Sequence, residues 1–135
     1  MNLKRIFGRV SDSVNIKDIN AILKDLDDIA QSHDVQFSSK GNGLKIRIML
    51  NGESADIPLS NQSLESFAID LSNSLYNIDM LLYQYVDETD EQDEYFGEKD
   101  ESRMYDKIYK CIREMQEYLF GYISENQRKL CYYEP

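Results

Sequence analysis

The chain has 135 residues, is 41% hydrophobic and carries a formal net charge of −10. This length predicts one domain, 1–135, and no apolar run approaches the roughly 20 residues that span a bilayer. Direct nucleic-acid binding is not expected, because it needs clustered cations to displace counterions. Anionic membrane surfaces are disfavoured for the same reason.

The first strong prediction is a helix from Ile16 to about His33. Asn15 suits its N-cap, and apolar residues then recur at helical spacing. His33, the only histidine, favours a helix-end role over a catalytic one. Residues 1–14 are left open between a short helix and an edge strand.

Three short strands follow, which we predict at 35–38, 44–50 and 55–59. Turn residues fill 40–43, and Asn51-Gly52 is the strongest short hairpin signal. Pro58 cannot donate to a ladder, so the third strand should lie at an edge. The result is an antiparallel meander with 44–50 in the middle.

Two long helices are predicted at 63–85 and 103–126, with Gly121 a weak point in the second. The order α-β-β-β-α-α gives an α+β fold, a three-stranded meander packed against helices. The helix that begins at Ile16 and the helix at 63–85 should cover one sheet face and bury Phe37, Ile46 and Ile48. The tail, 127–135, is left open between docking and fraying.

Between these two helices lies the acidic segment, Asp87–Ser102, which we predict to be an exposed loop. Nine carboxylates against one cation, Lys99, give it a formal charge of −8. Like charges favour a solvated connector. Aromatic rings among carboxylates favour a surface for a basic groove, where charges steer and rings anchor. The candidate partner-binding residues are Asp87, Glu88, Asp90, Glu91, Asp93, Glu94, Tyr95, Phe96, Glu98, Asp100 and Glu101.

Other site chemistries find little support in the sequence. The acidic segment lacks the EF-hand pattern, and no Cys/His cluster has metal-ligand spacing. The chain has one histidine and shows no nucleophile beside a general base. We therefore predict neither an enzyme nor a cofactor site. Cys111 and Cys131 are far apart, which favours a reduced, cytoplasmic setting.

Tyrosine and basic residues mark the second half of the chain. All ten tyrosines follow residue 75, which fits either helix packing or an interface. Arg103, Lys107 and Lys110 form a basic stripe that either lies against the acidic segment or is solvated. The filled apolar stripes favour a monomer over a homodimer.

The stretches LKIRIML, NGESADIPL, the helix from Ser63 and DETDEQDEYF follow one another in an order that resembles a family of small acidic anti-CRISPR proteins that inhibit Cas9. The resemblance covers about residues 16–120 and rests on element order and charge. It implies an acidic patch that occupies the site where Cas9 reads duplex DNA.

We therefore expect an acidic inhibitor that occludes a basic, nucleic-acid-binding surface of a partner such as a Cas nuclease. Two alternatives stay open. One is an immunity protein or antitoxin that neutralises a cytotoxic nuclease, and the other is a homodimeric structural or adaptor protein.

Overall fold

The computed structural model describes the backbone of residues 14–60, 62–92 and 98–134. It describes the side chains of the same residues except those within 85–104. Helix α1 (Ile16–Ser32) is followed by strands β1 (Phe37–Gly41), β2 (Lys45–Leu50) and β3 (Glu53–Pro58). Helices α2 (Leu64–Gln92) and α3 (Glu98–Leu119) come next, and two 3₁₀ turns, Phe120–Tyr122 and Arg128–Leu130, close the described chain. This order confirms the α+β prediction.

The three strands form one antiparallel sheet in the order β1-β2-β3. Asn51 and Gly52 both have positive φ, 49° and 94°, as a type I′ hairpin requires. Pro58 ends an edge strand, as predicted. The predicted turn at 40–43 begins too early, because Lys40 and Gly41 still pair with β2.

Gly41 is the last residue of that longer first strand. It pairs with Ile46, and a Cβ at Gly41 would lie 2.7 Å from the Cδ1 atom of Ile46, a buried side chain that would have to shift. Gly41 is therefore closely packed in the strand, and the turn itself is centred on Gly43, whose φ is +89°.

The core lies on one face of the sheet, as the alternation of β2 predicts. Ile46, Ile48 and Leu50 are buried while Lys45, Arg47 and Met49 are exposed. Helix α1 packs on β1, α2 packs on β3, and α3 packs against both helices. Phe37, which we expected to be buried, is half-buried against this core.

Helix α1 matches its prediction within one residue. The Asn15 side chain accepts a hydrogen bond from the backbone N–H of Lys17 at 2.8 Å, which caps the helix. Ile16 was placed in its apolar stripe but is 56% exposed, because it precedes the first turn that packs on the core. The buried positions are Ile19, Ile22, Leu23, Leu26 and Ala30.

The bounds of the two long helices differ more from prediction. Helix α2 begins after Ser63, whose hydroxyl accepts from the N–H of Ser66 at 3.0 Å, but it runs seven residues past Tyr85. Helix α3 begins at Glu98 rather than Arg103, and it ends at Leu119, just before Gly121, rather than at Asn126. The residues predicted as an acidic loop are therefore largely helical backbone.

Local energetics explain that correction. Helical hydrogen bonds are satisfied within the segment, so repulsion among solvated carboxylates does not by itself break a helix. Glu98, Asp100 and Glu101 fall in the first turn of α3, where the helix dipole favours negative charge. At the end of α2 the dipole opposes the carboxylates, but Glu and Gln are good helix formers.

Candidate partner-binding site

The two long helices form an antiparallel hairpin whose far end carries the acidic segment. Glu65 pairs with Ser124, Ser72 with Gln116, and Asp79 with Tyr105. As residue numbers rise along α2, those of their partners fall from Ser124, just beyond α3, back along α3 to Tyr105. The end of α2 and the start of α3 therefore lie at the same end of the hairpin.

The connection from β3 to α2 lies at the opposite end of this hairpin. Helix α2 starts six residues after β3 ends, and the Gln62 side chain donates to the carbonyl of Pro58 at 3.1 Å. From Asp79, α2 continues to Gln92, a further length of about 20 Å at the helical rise. The acidic residues thus extend beyond the last described hydrogen bond between the two helices.

The structure places the candidate residues in three groups by their backbone. Four stand in the last turns of α2, three stand in the first turn of α3, and four lie outside the described residues. The first group is Asp87, Glu88, Asp90 and Glu91; the second is Glu98, Asp100 and Glu101; the third is Asp93, Glu94, Tyr95 and Phe96.

A buried ion pair joins the two helices before they reach the acidic end. The Arg113 guanidinium donates to the Asp79 carboxylate, whose side chain is 0% exposed, and also to the Gln116 side chain at 2.7 Å. The Tyr105 hydroxyl donates to the other oxygen of Asp79 at 2.7 Å. Burial, and then this hydrogen bond, raise the pKa of Tyr105.

This buried polar cluster is the part of the hairpin that the sequence analysis missed. Ser72, Asp79, Arg113 and Gln116 are all buried, yet none belongs to a predicted apolar stripe. Their only sequence signal is polar residues beside apolar stripe positions on two helices expected to pair. That signal could not match Asp79 with Arg113, because the relative register of two helices is not set by their periodicity.

Most described tyrosines serve contacts inside the chain. Tyr118 bridges α3 to α1 by donating to Asp25 at 2.6 Å, and burial followed by this bond raises the pKa of Tyr118. The rings of Tyr76, Tyr109 and Tyr133 lie within 5.8 Å of the Arg113 guanidinium. Helix packing thus accounts for them.

An exposed apolar pair remains on α2 near the acidic end. Leu81 is 43% exposed and Tyr83 is 48% exposed. The Tyr83 ring lies 5.3 Å from that of Tyr105, which holds it against α3. A held aromatic ring next to a charged segment is suited to the rim of an interface.

Cations in the described chain are mostly paired. Lys45 and Arg47 both donate to Asp56 on the outward sheet face, and these bonds hold the pKa of Asp56 well below its ordinary value. From the predicted basic stripe, Lys107 pairs with Asp34 at 3.2 Å and Lys110 with Asp106 at 3.3 Å. The stripe is therefore bound to carboxylates outside the acidic segment at both described positions.

His33 and the cysteines have structural surroundings. His33 ends α1, and its Nε2 atom lies 2.7 Å from a carboxylate oxygen of Glu114 on α3. Both cysteines are free, and burial raises the pKa of the Cys111 thiol to about 12. Within the described ranges, no group of three or more His, Cys, Asp or Glu side chains is placed to hold a metal ion.

Comparisons with protein-family models, with curated proteins and with solved structures find no match to this chain. Among the described residues, no helix is both long enough and apolar enough to cross a membrane.

Proposed function

We propose that this protein is an acidic inhibitor that occludes a basic, nucleic-acid-binding surface of a partner protein, acting as a DNA mimic of the anti-CRISPR or anti-defence type in the cytoplasm. One observation carries the proposal. Seven carboxylates are built on two adjoining helix ends, at the end of the hairpin opposite the connection from β3 to α2.

Stiffness is what a mimic needs beyond charge. A duplex presents phosphates at fixed spacing, and a basic groove binds a rigid array of anions without the entropy cost of ordering a loop. Helical backbone supplies such rigidity up to Gln92 and from Glu98 onward. The Asp79–Arg113 pair joins the same two helices about 20 Å before that end.

The test removes charge from the acidic end and preserves shape. Asp87, Asp90 and Asp93 are changed to Asn, and Glu88, Glu91 and Glu94 to Gln. The readout is binding of target duplex by a panel of Cas nuclease–guide RNA complexes, with and without the protein. We expect the parent to block duplex binding. The variant should associate with the Cas complex about 10–10³-fold more slowly than the parent at low salt, and this difference in rate should narrow as salt rises.

A matched control neutralises six carboxylates elsewhere, so total charge changes equally. Suitable positions are Asp18, Asp28, Asp34, Glu53, Asp106 and Glu125, which the structure places on the body of the protein. This control should retain most of the inhibition. Equal loss in both variants would show that net charge alone acts, and full inhibition by the acidic-end variant would reject the proposed site.

The ring of Tyr95 provides a second, separable measurement. If it anchors the partner, Tyr95→Ala should weaken binding by about 1–3 kcal/mol through faster dissociation, with little dependence on salt. A Tyr95→Ala protein that dissociates at the parental rate would leave the carboxylates as the whole of the site.

A further inference from the structure

The 130–134 segment lies against the groove between α2 and α3 and is held there by its main chain. Asn73 donates to the carbonyl of Leu130 at 3.1 Å, Gln116 to that of Tyr132 at 2.8 Å, and Arg113 to that of Glu134. The Asn73 side chain also accepts from the N–H of Tyr132 at 2.8 Å. Every second carbonyl of the segment is thus bound by a side chain of the groove.

Two of the three groove donors, Arg113 and Gln116, also have partners outside the segment. Arg113 is fixed by Asp79 and Gln116, and Gln116 donates to the Ser72 hydroxyl at 3.1 Å. All of these groups belong to α2 and α3. The groove therefore presents preformed donors to an extended chain, as sites that bind peptides through their main chain do.

Side-chain selectivity in this groove comes from two adjacent rings. The ring of Tyr132 lies 5.8 Å from that of Tyr76, and the ring of Tyr133 lies 5.2 Å from that of Phe120. The Tyr133 hydroxyl donates to Glu117, and burial followed by this bond raises the pKa of Tyr133 to about 12.

The segment buries only some of its side chains. Leu130 is 50% exposed and Tyr132 is 57% exposed, whereas Tyr133 is half-buried and Cys131 is partly buried against the core. Segments with few buried apolar contacts open locally, well below the free energy of global unfolding.

We propose that the groove between α2 and α3 is a binding site for an extended peptide with two consecutive aromatic residues, and that the 130–134 segment is its tethered, exchangeable occupant. The site is distinct from the acidic end and does not depend on the inhibitor function. Tethering raises the local concentration of the segment, so a free peptide gains access only when the tethered copy is weakened.

The first experiment uses hydrogen exchange on the unmodified protein. The Tyr132 amide should exchange at least about 100-fold faster than buried α3 amides such as those of Ile112 and Met115, because release of the segment does not require unfolding. Exchange of Tyr132 at the rate of those α3 amides would show that the segment leaves only on global unfolding, which overturns the proposal.

The second experiment adds a peptide in trans. The full-length protein carrying Tyr132→Gly and Tyr133→Gly keeps its tether but loses both rings. A fluorescent peptide of residues 128–135, with Cys131→Ser, is titrated to about 1 mM, the weak end of measurable affinity. We expect saturable binding to this variant, at least about tenfold tighter than to the parent, whose own segment competes.

Asn73 shows whether the peptide enters the proposed groove. Adding Asn73→Ala to the double-glycine protein should weaken the peptide at least about tenfold, since two hydrogen bonds are lost. Asn77→Ala is the matched control, an exposed asparagine on the same helix. A folded double-glycine protein that fails to bind, or binding that Asn73→Ala leaves unchanged, overturns the proposal; if that protein does not fold, the exchange experiment decides.

Discussion

Asp79 on α2 and Arg113 on α3 form an ion pair inside the helical hairpin, with the carboxylate wholly buried and the guanidinium almost so. Burying an ion pair costs free energy because both charges lose their hydration. Removing one partner destabilises the protein more than replacing both, because the remaining charge is left buried and unpaired. The pair therefore makes the hairpin sensitive to which of the two residues is changed.

We expect Arg113→Met to destabilise the protein by about 3–5 kcal/mol, because Asp79 is left buried without its counter-charge. Adding Asp79→Asn should recover part of this loss, giving a coupling energy of about 0.5–3 kcal/mol in a double-mutant cycle measured by urea unfolding. Lys110→Met, which removes an exposed cation paired only at i,i−4, should cost no more than about 0.5 kcal/mol. Additive effects of the first two changes would contradict the pairing.

The sheet register predicts a large difference between two neighbours on β2. Ile48 is 0% exposed on the helix-covered face, so Ile48→Ala should cost about 2–5 kcal/mol of unfolding free energy. Met49 points to the other face and is 42% exposed, so Met49→Ala should cost less than about 1 kcal/mol. Similar melting temperatures for the two variants would contradict the assignment of Ile48 to the buried face of the sheet and of Met49 to the exposed face.

Alkaline pH should weaken the fold through Tyr105 and Tyr118. The pKa of each is raised above the ordinary tyrosine value of 10.0, so the folded chain keeps protons that the unfolded chain releases. Their contribution is fully present below about pH 10 and is lost as pH rises from there toward the folded pKa values. Urea unfolding at about pH 8 and about pH 10.5 measures this decline.

Tyr118→Phe removes one of these groups and should make that decline shallower. Absorbance of phenolate should also show that at least two tyrosines ionise only as the protein unfolds. Titration of all tyrosines in the folded state would argue against the buried hydroxyls described above.

Acidic pH should act through Glu65. The backbone N–H of Ser124 donates to its carboxylate, and this bond lowers the pKa of Glu65 below its ordinary value of 4.5. The contribution is present above about pH 4.5 and is lost as pH falls through the folded pKa. The stability gap between parent and Glu65→Gln should therefore close on acidification. A pH-independent gap would mean that ionised Glu65 is not the acceptor.

Local rules predicted much of this fold from sequence. Asn15 as a cap, Asn51-Gly52 as a type I′ turn and Pro58 at an edge each depend on a few adjacent residues, and each is found where expected. Failures occurred where distance or context decides. Repulsion among carboxylates suggested that α2 stops near Tyr85, but the helix continues because its hydrogen bonds are local.

The charge of the candidate site could be predicted from the sequence, but its geometry could not. The sequence located every carboxylate of the acidic segment, yet only the structure puts most of them on helix ends that extend past the Asp79–Arg113 pair. The sequence left the tail, 127–135, open between docking and fraying, and only the structure shows that 130–134 docks on Asn73, Gln116 and Arg113, because main-chain contacts do not reveal their partners in the sequence.

The contacts of the 130–134 segment also bear on how the protein folds while it is being made. Asn73 and its partner Tyr132 are separated by nearly half of the chain, and the carbonyl of Glu134 is bound by Arg113. A nascent chain can form the meander and start the hairpin early, but Arg113 and Gln116 keep open hydrogen-bonding groups until residues 130–134 have been synthesised. Slow synthesis of that stretch would then prolong a state whose groove is empty and accessible to other peptides.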